Sequence, residues 1–186
     1  MKYIGNTNNI INWQDVIDNL ATMTPAHTGP DNSLGDESIL EGFKIFKLWE
    51  DAGVKAASEG GSNQWDMFVM NKHFNKTIVD AFCDFVNADV THCWISRLEP
   101  GNMAHWHWDT SNYEQQAEFN KIPNMVRYCC FITKPQPGHV FMVEDHCCYN
   151  QEQGAVWQWP SRTSWHAGSN FGFENKYLFN FFGPAR

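Results

Sequence analysis

The residues with the greatest chemical potential crowd into one segment, Met103-Ala104-His105-Trp106-His107-Trp108-Asp109. Alternate residues of a strand share a face, so a strand through this segment carries His105, His107 and Asp109 on one side and Trp106 and Trp108 on the other. Imidazoles and carboxylates are donors for a divalent transition metal, and a metal site needs donors that converge from more than one direction. A further ligand must therefore come from elsewhere in the chain. His166, in Ser164-Trp165-His166-Ala167-Gly168-Ser169-Asn170, is the best candidate. His107, Asp109 and His166 together supply two imidazoles and one carboxylate. Held on one side of a metal they leave three positions open, the arrangement that suits non-haem iron(II) and its oxygen chemistry. His105 stands between two roles, a polar group beside the metal and a structural histidine.

The elements that must position these residues change character along the chain. Ile10, Ile11, Trp13, Val16, Ile17 and Leu20 fall near a 3.6-residue spacing and predict an amphipathic helix over 12–21, with Asn12 as its cap. Phe74, Ile78, Phe82, Phe85 and Val86 predict another near 72–87, and 37–50 reads as helical or mixed. Breakers between Thr24 and Asp36 and the run Ser58–Ser62 read as loop, so residues 1–90 are expected to be mainly helical support. Beyond Ala88, short β-rich segments at 91–98, 103–108, 126–133, 139–144, 155–159 and 176–182 alternate with Pro/Gly turns. Helices followed by strands predict an α+β fold, a jelly roll buttressed by N-terminal helices, with 1–186 forming one domain.

Composition narrows the field. With 186 residues, 42% hydrophobic and 15% aromatic, the chain can bury a core, so disorder is excluded. The net charge of −8, with no basic patch, argues against a nucleic-acid partner. No apolar run is long enough to span a membrane, and the N-terminus shows no long apolar leader, so a cytoplasmic location is expected. Six cysteines include no C-x-x-C pair. The adjacent pairs Cys129-Cys130 and Cys147-Cys148 would face opposite sides of a strand and so suit buried thiols in a reducing compartment better than a zinc site.

The motifs resemble those of the iron(II)/2-oxoglutarate-dependent oxygenases, in particular their prolyl-hydroxylase-like branch. That family carries His-x-Asp, a distant His followed by x-Gly, and a basic residue about ten positions later; here these read His107-Trp108-Asp109, His166-Ala167-Gly168 and Lys176. Arg97-Leu98-Glu99-Pro100-Gly101 is similar to the segment before the first metal histidine in aspartyl/asparaginyl hydroxylases. The resemblance covers residues 91–182 and implies a double-stranded β-helix. It also implies iron(II) on His107, Asp109 and His166, with 2-oxoglutarate and O2 as co-substrates and a small molecule or protein side chain as the hydroxylated substrate. The far carboxylate of 2-oxoglutarate would pair with Lys176, a compact cation on a long stem. Arg127, which alternates with Cys129 and Phe131, is a second candidate for the same role.

Two other readings fit the same residues. A cupin-like metal protein would use His105, His107 and His166 without an oxoacid, and a structural jelly roll would use no metal. His139 and His146, flanking Glu144-Asp145, read as solvated strand ends, and Arg127 could instead pair with one of those carboxylates.

Overall fold

A computed structural model describes residues 1–29, 65–107, 122–159 and 164–186. They form β1 (Lys2–Asn6), α1 (Trp13–Leu20), β2 (His27–Gly29), β3 (Trp65–Val69), α2 (Lys76–Val86), β4 (His92–Leu98), β5 (Met103–His107), β6 (Met125–Phe131), β7 (His139–Val143), β8 (His146–Tyr149), β9 (Ala155–Gln158), β10 (His166–Asn170) and β11 (Lys176–Pro184). Two antiparallel sheets result, one in the order β1-β9-β6-β11-β4-β3-β2 and the other β5-β10-β7-β8. From β4 onward the chain passes back and forth between them, placing β4, β6, β9 and β11 in the large sheet and β5, β7, β8 and β10 in the small one. That winding is the double-stranded β-helix, and with the two described helices the class is α+β.

The helices form where the apolar spacing places them, and side chains set their ends. Asn12 accepts the Asp15 N–H at 3.4 Å ahead of α1, and Asn75 accepts the Ile78 N–H at 3.2 Å ahead of α2. The second helix is shorter than 72–87 because residues 71–74 make a turn, entered by Asn71 at φ +64°. It stops at Asn87, which adopts the left-handed conformation at φ +54°. The apolar faces of both helices cover the outer side of the large sheet. Trp13, Leu20, Val79 and Phe82 pack there with Ile95, Cys130, Phe179 and Phe181. Each Leu, Val, Ile or Phe side chain among them contributes about 1.5–3 kcal/mol by leaving water.

Three strands lie in the region expected to be helix and loop, and each has a physical reason for hiding. β1 is short and pairs only with β9. In β3 the alternation is broken by a buried carboxylate, since Asp66 shares a face with Phe68 and is 7% exposed. It is held by Arg97, at 2.6 Å from Nη2 and 2.7 Å from Nε, and by the Thr28 hydroxyl at 2.7 Å. β2 has three residues and exists by pairing with β3. The expected 37–50 segment lies outside the described residues. All six cysteines are free thiols, and five are buried. No helix among the described residues is long and apolar enough to cross a membrane.

β11 links the two cores. Tyr177, Phe179 and Phe181 point toward the helices, whereas Leu178 packs between the sheets with Cys129, Phe131, Phe141, Val143 and Trp159. By strand alternation, Lys176, Asn180 and Phe182 share the inter-sheet face with Leu178.

Candidate functional site

The ladder between β5 and β10 places His107 and His166 opposite one another as Cα partners. Val143 of β7 pairs His166 from its other side. His166 opens β10, a strand that is not among the β-rich segments read from the sequence. His-Ala-Gly-Ser-Asn has little intrinsic strand preference, and it is strand because β5 and β7 flank it. Asp109 lies outside the described residues, as does the side chain of His107, and among the described residues no cluster of three metal-ligating side chains occurs.

His166 is buried, with 5% exposure. Its Nδ1 lies 3.2 Å from the Ser164 carbonyl, which can only accept, so the proton of a neutral ring sits on Nδ1 and the lone pair on Nε2. Trp159 meets the ring edge-on at 4.5 Å between centroids, and Phe141 tilts against it at 6.2 Å. This arrangement suits metal ligation. A carbonyl fixes the tautomer and two aromatic rings fix the plane, leaving Nε2 with the electron pair a cation needs.

Lys176 is 3% exposed. Its ammonium donates to the Val140 carbonyl and lies 3.4 Å from that of Ser169, with the Phe141 ring 5.8 Å away. Among the described residues no carboxylate pairs with it. Burial pulls its pKa down from 10.5 to about 7. The thiols whose charge would offset this are themselves pushed up by burial, Cys129 to about 12 and Cys148 to about 11, so they carry little charge near neutrality. Gly168 stands beside the ammonium. A β-carbon there would lie 3.6 Å from Lys176 Nζ, 3.5 Å from Leu98 and 3.7 Å from Phe141.

Arg127 is also buried, its guanidinium 3.4 Å from the Trp159 ring centroid and 4.5 Å from that of Phe182. It is the register partner of Phe182, six residues along β11 from Lys176. Six residues of strand span about 20 Å, so the two cations occupy opposite ends of the inter-sheet space, with Trp159 between Arg127 and His166. His139 is buried rather than solvated, its Nε2 3.2 Å from the Glu174 carbonyl and its pKa lowered by burial. His146 opens β8 and tilts against Trp157, and Glu144-Asp145 forms the turn before it.

Sequence reasoning missed one polar feature of this space, the Asn180–Ser96 pair. Asn180 is 4% exposed and its Nδ2 donates to Ser96 Oγ at 2.7 Å. A lone amide inside Tyr-Leu-Phe-Asn-Phe-Phe was the available signal, since an amide in a buried strand needs a partner.

No protein-family model matches the chain, and no curated protein matches it significantly. Similar solved structures include a Pseudomonas putida prolyl-4-hydroxylase, 15% identical, with a TM-score of 0.41, covering 92% of this chain and 98% of that one. An oxidoreductase of the 2OG-Fe(II) oxygenase family from Burkholderia pseudomallei is 15% identical at a TM-score of 0.38, covering 59% of this chain and 54% of its own. A cupin domain from Bordetella pertussis is 12% identical at a TM-score of 0.36, covering 53% of this chain and 92% of its own.

Proposed function

We propose that the chain is a non-haem iron(II) oxygenase that couples 2-oxoglutarate decarboxylation to hydroxylation of a second substrate, with residues 1–186 as one catalytic domain in the cytoplasm. The observation that carries this reading is the Lys176 ammonium. It is held between two sheets by carbonyls, with no carboxylate partner among the described residues, in the same inter-sheet space as His166. A buried cation without an anion is costly, and an anionic ligand at that depth offsets the cost.

His107, Asp109 and His166 would hold the iron. When bound, iron(II) supplies the oxygen chemistry by which 2-oxoglutarate, O2 and a C–H substrate become succinate, CO2 and the hydroxylated product. The protein's own residues do the positioning. Ser164 keeps the proton of His166 on Nδ1, and Trp159 and Phe141 wall the ring from water. Lys176 receives the far carboxylate, with Gly168 leaving room in front of Nζ. Arg127 is braced by Trp159 and Phe182 at the opposite end of the space.

Anaerobic titration with iron(II) and then 2-oxoglutarate tests the proposal. A weak visible charge-transfer band is expected, lost in His107→Ala and in Asp109→Ala; an unchanged band removes those residues from the site. A cupin-like site of His105, His107 and His166 would instead bind iron with no spectral response to the oxoacid.

A further inference from the structure

Two buried donors beside His166 lack a partner that suits them. Ser164 is 1% exposed, and its hydroxyl meets no hydrogen-bonding group among the described residues. Trp159 is 4% exposed, and its Nε1–H meets neither oxygen nor nitrogen there, only the sulfur of Cys129, a weak acceptor. Ser164 gives its carbonyl to His166 Nδ1 at 3.2 Å, and the Trp159 ring lies 4.5 Å from the His166 ring. The carbonyl of Ser164 thus has a task in the site, whereas its side chain has none. A buried polar group without a partner is costly, and a ligand that pairs with it removes the cost.

Strand geometry shows which ligand the hydroxyl faces. Ser164 precedes β10, and the pairing of β10 with β7 reaches back past His166, since the Glu144 N–H donates to the Trp165 carbonyl at 2.8 Å. Ser164 and His166 are buried with half-buried Trp165 between them. Alternation therefore puts Ser164, His166 and Gly168 in one row on the inner face, about 7 Å apart. Lys176 Nζ sits over Gly168, 3.6 Å from where a β-carbon would stand. The row runs from the buried cation through the candidate ligand to the hydroxyl. A five-carbon oxoacid, whose four C–C bonds total about 6 Å, spans the first interval and not both. Ser164 belongs to the molecule on the other side of His166.

We infer that Ser164 Oγ and Trp159 Nε1–H bind the substrate that is hydroxylated, and that this substrate offers them carbonyl or carboxylate oxygens. An indole N–H only donates, so a ligand that serves it must accept, and the serine hydroxyl can donate to the same kind of oxygen. The inference rests on the oxygenase reading and narrows its substrate class. Ser164 acts here through its side chain, separately from the carbonyl that fixes the tautomer of His166, so Ser164→Ala removes one role and leaves the other in place.

The test uses the anaerobic protein loaded with iron(II) and 2-oxoglutarate, with two small probes: cyclopentanone, which has one acceptor oxygen, and methylenecyclopentane, which has the same shape and none. The first is expected to perturb the visible band at a concentration at least tenfold lower than the second. Ser164→Ala is expected to cut that preference at least threefold while 2-oxoglutarate affinity stays within twofold. Trp159→Phe, which keeps a ring and removes the N–H, is expected to cut it as well. Equal response to the two probes, response to neither, or a preference undiminished in either variant overturns the inference. The wild-type contrast decides the matter if neither variant folds. Failure of the band to form at all strikes the oxygenase reading instead.

Discussion

Replacing Lys176 by Met separates a residue kept for ligand binding from one kept for stability. Met matches the length of the lysine stem and adapts to an irregular apolar space, so the packing against Phe141 and Leu98 can be retained. The charge is what changes. Lys176 titrates near 10.5 when unfolded and near 7 in the fold. Between those values the unfolded chain binds more protons than the native one, so this residue makes stability rise with pH across that window. Its penalty is fully present below pH 7 and has vanished above pH 10.5. From pH 6.5 to 9.5 the wild type should gain about 3 kcal/mol from this source alone, and Lys176→Met should gain none of it. Titrations elsewhere are common to both proteins and cancel in the difference. Urea unfolding of the two proteins at pH 6.5, 8 and 9.5 measures it directly. Met should be favoured most at the lowest pH. Saturating 2-oxoglutarate should stabilise only the wild type. A difference that is flat with pH, or a lysine that stabilises most at low pH, would refute the reasoning.

Gly168→Ala puts a methyl in ordinary contact with Leu98, Phe141 and Lys176 Nζ, so folding should change by less than about 1 kcal/mol while 2-oxoglutarate binds at least tenfold more weakly. Calorimetric titration checks this, and undiminished affinity would move the oxoacid elsewhere. Asp66→Ala leaves Arg97 with its buried partner removed and should cost about 3–5 kcal/mol in chemical denaturation. Adding Arg97→Met should recover much of that loss, and no recovery would mean that the ion pair is not its source.

How far the sequence reveals this molecule depends on where each residue's role is local. The two helices are legible because Val16, Leu20, Val79 and Phe82 repeat at helical spacing and Asn12 and Asn75 cap them with their own side chains. The β-rich half is legible from its turns. β10 is not, because His166-Ala167-Gly168-Ser169-Asn170 is strand only by virtue of neighbours on both sides, from β5 and β7, that no local pattern contains. β3 is obscured by Asp66, whose partners Arg97 and Thr28 are 31 and 38 residues away. The candidate ligands could be named from residue type and spacing, whereas the reason His166 presents Nε2 could not, since it lies in the backbone carbonyl of Ser164. His139 was misjudged because burial is a property of packing; Gly138, at φ +90° and pressed against the backbone of Phe171 and Gly172, holds it under that turn. Asn180 escaped notice because an amide in an apolar run gains meaning only once Ser96 and Leu178 are seen to claim its nitrogen.

The central claim is that one metal ion is gripped from one side by His107, Asp109 and His166. Anomalous diffraction at the iron edge, from crystals grown anaerobically with iron(II) and 2-oxoglutarate, tests it most directly. A single peak within bonding distance of an imidazole nitrogen of His107, Nε2 of His166 and a carboxylate oxygen of Asp109, with the oxoacid reaching from it to Lys176, is the predicted result. A peak bound to other residues, or none at full iron loading, contradicts the account.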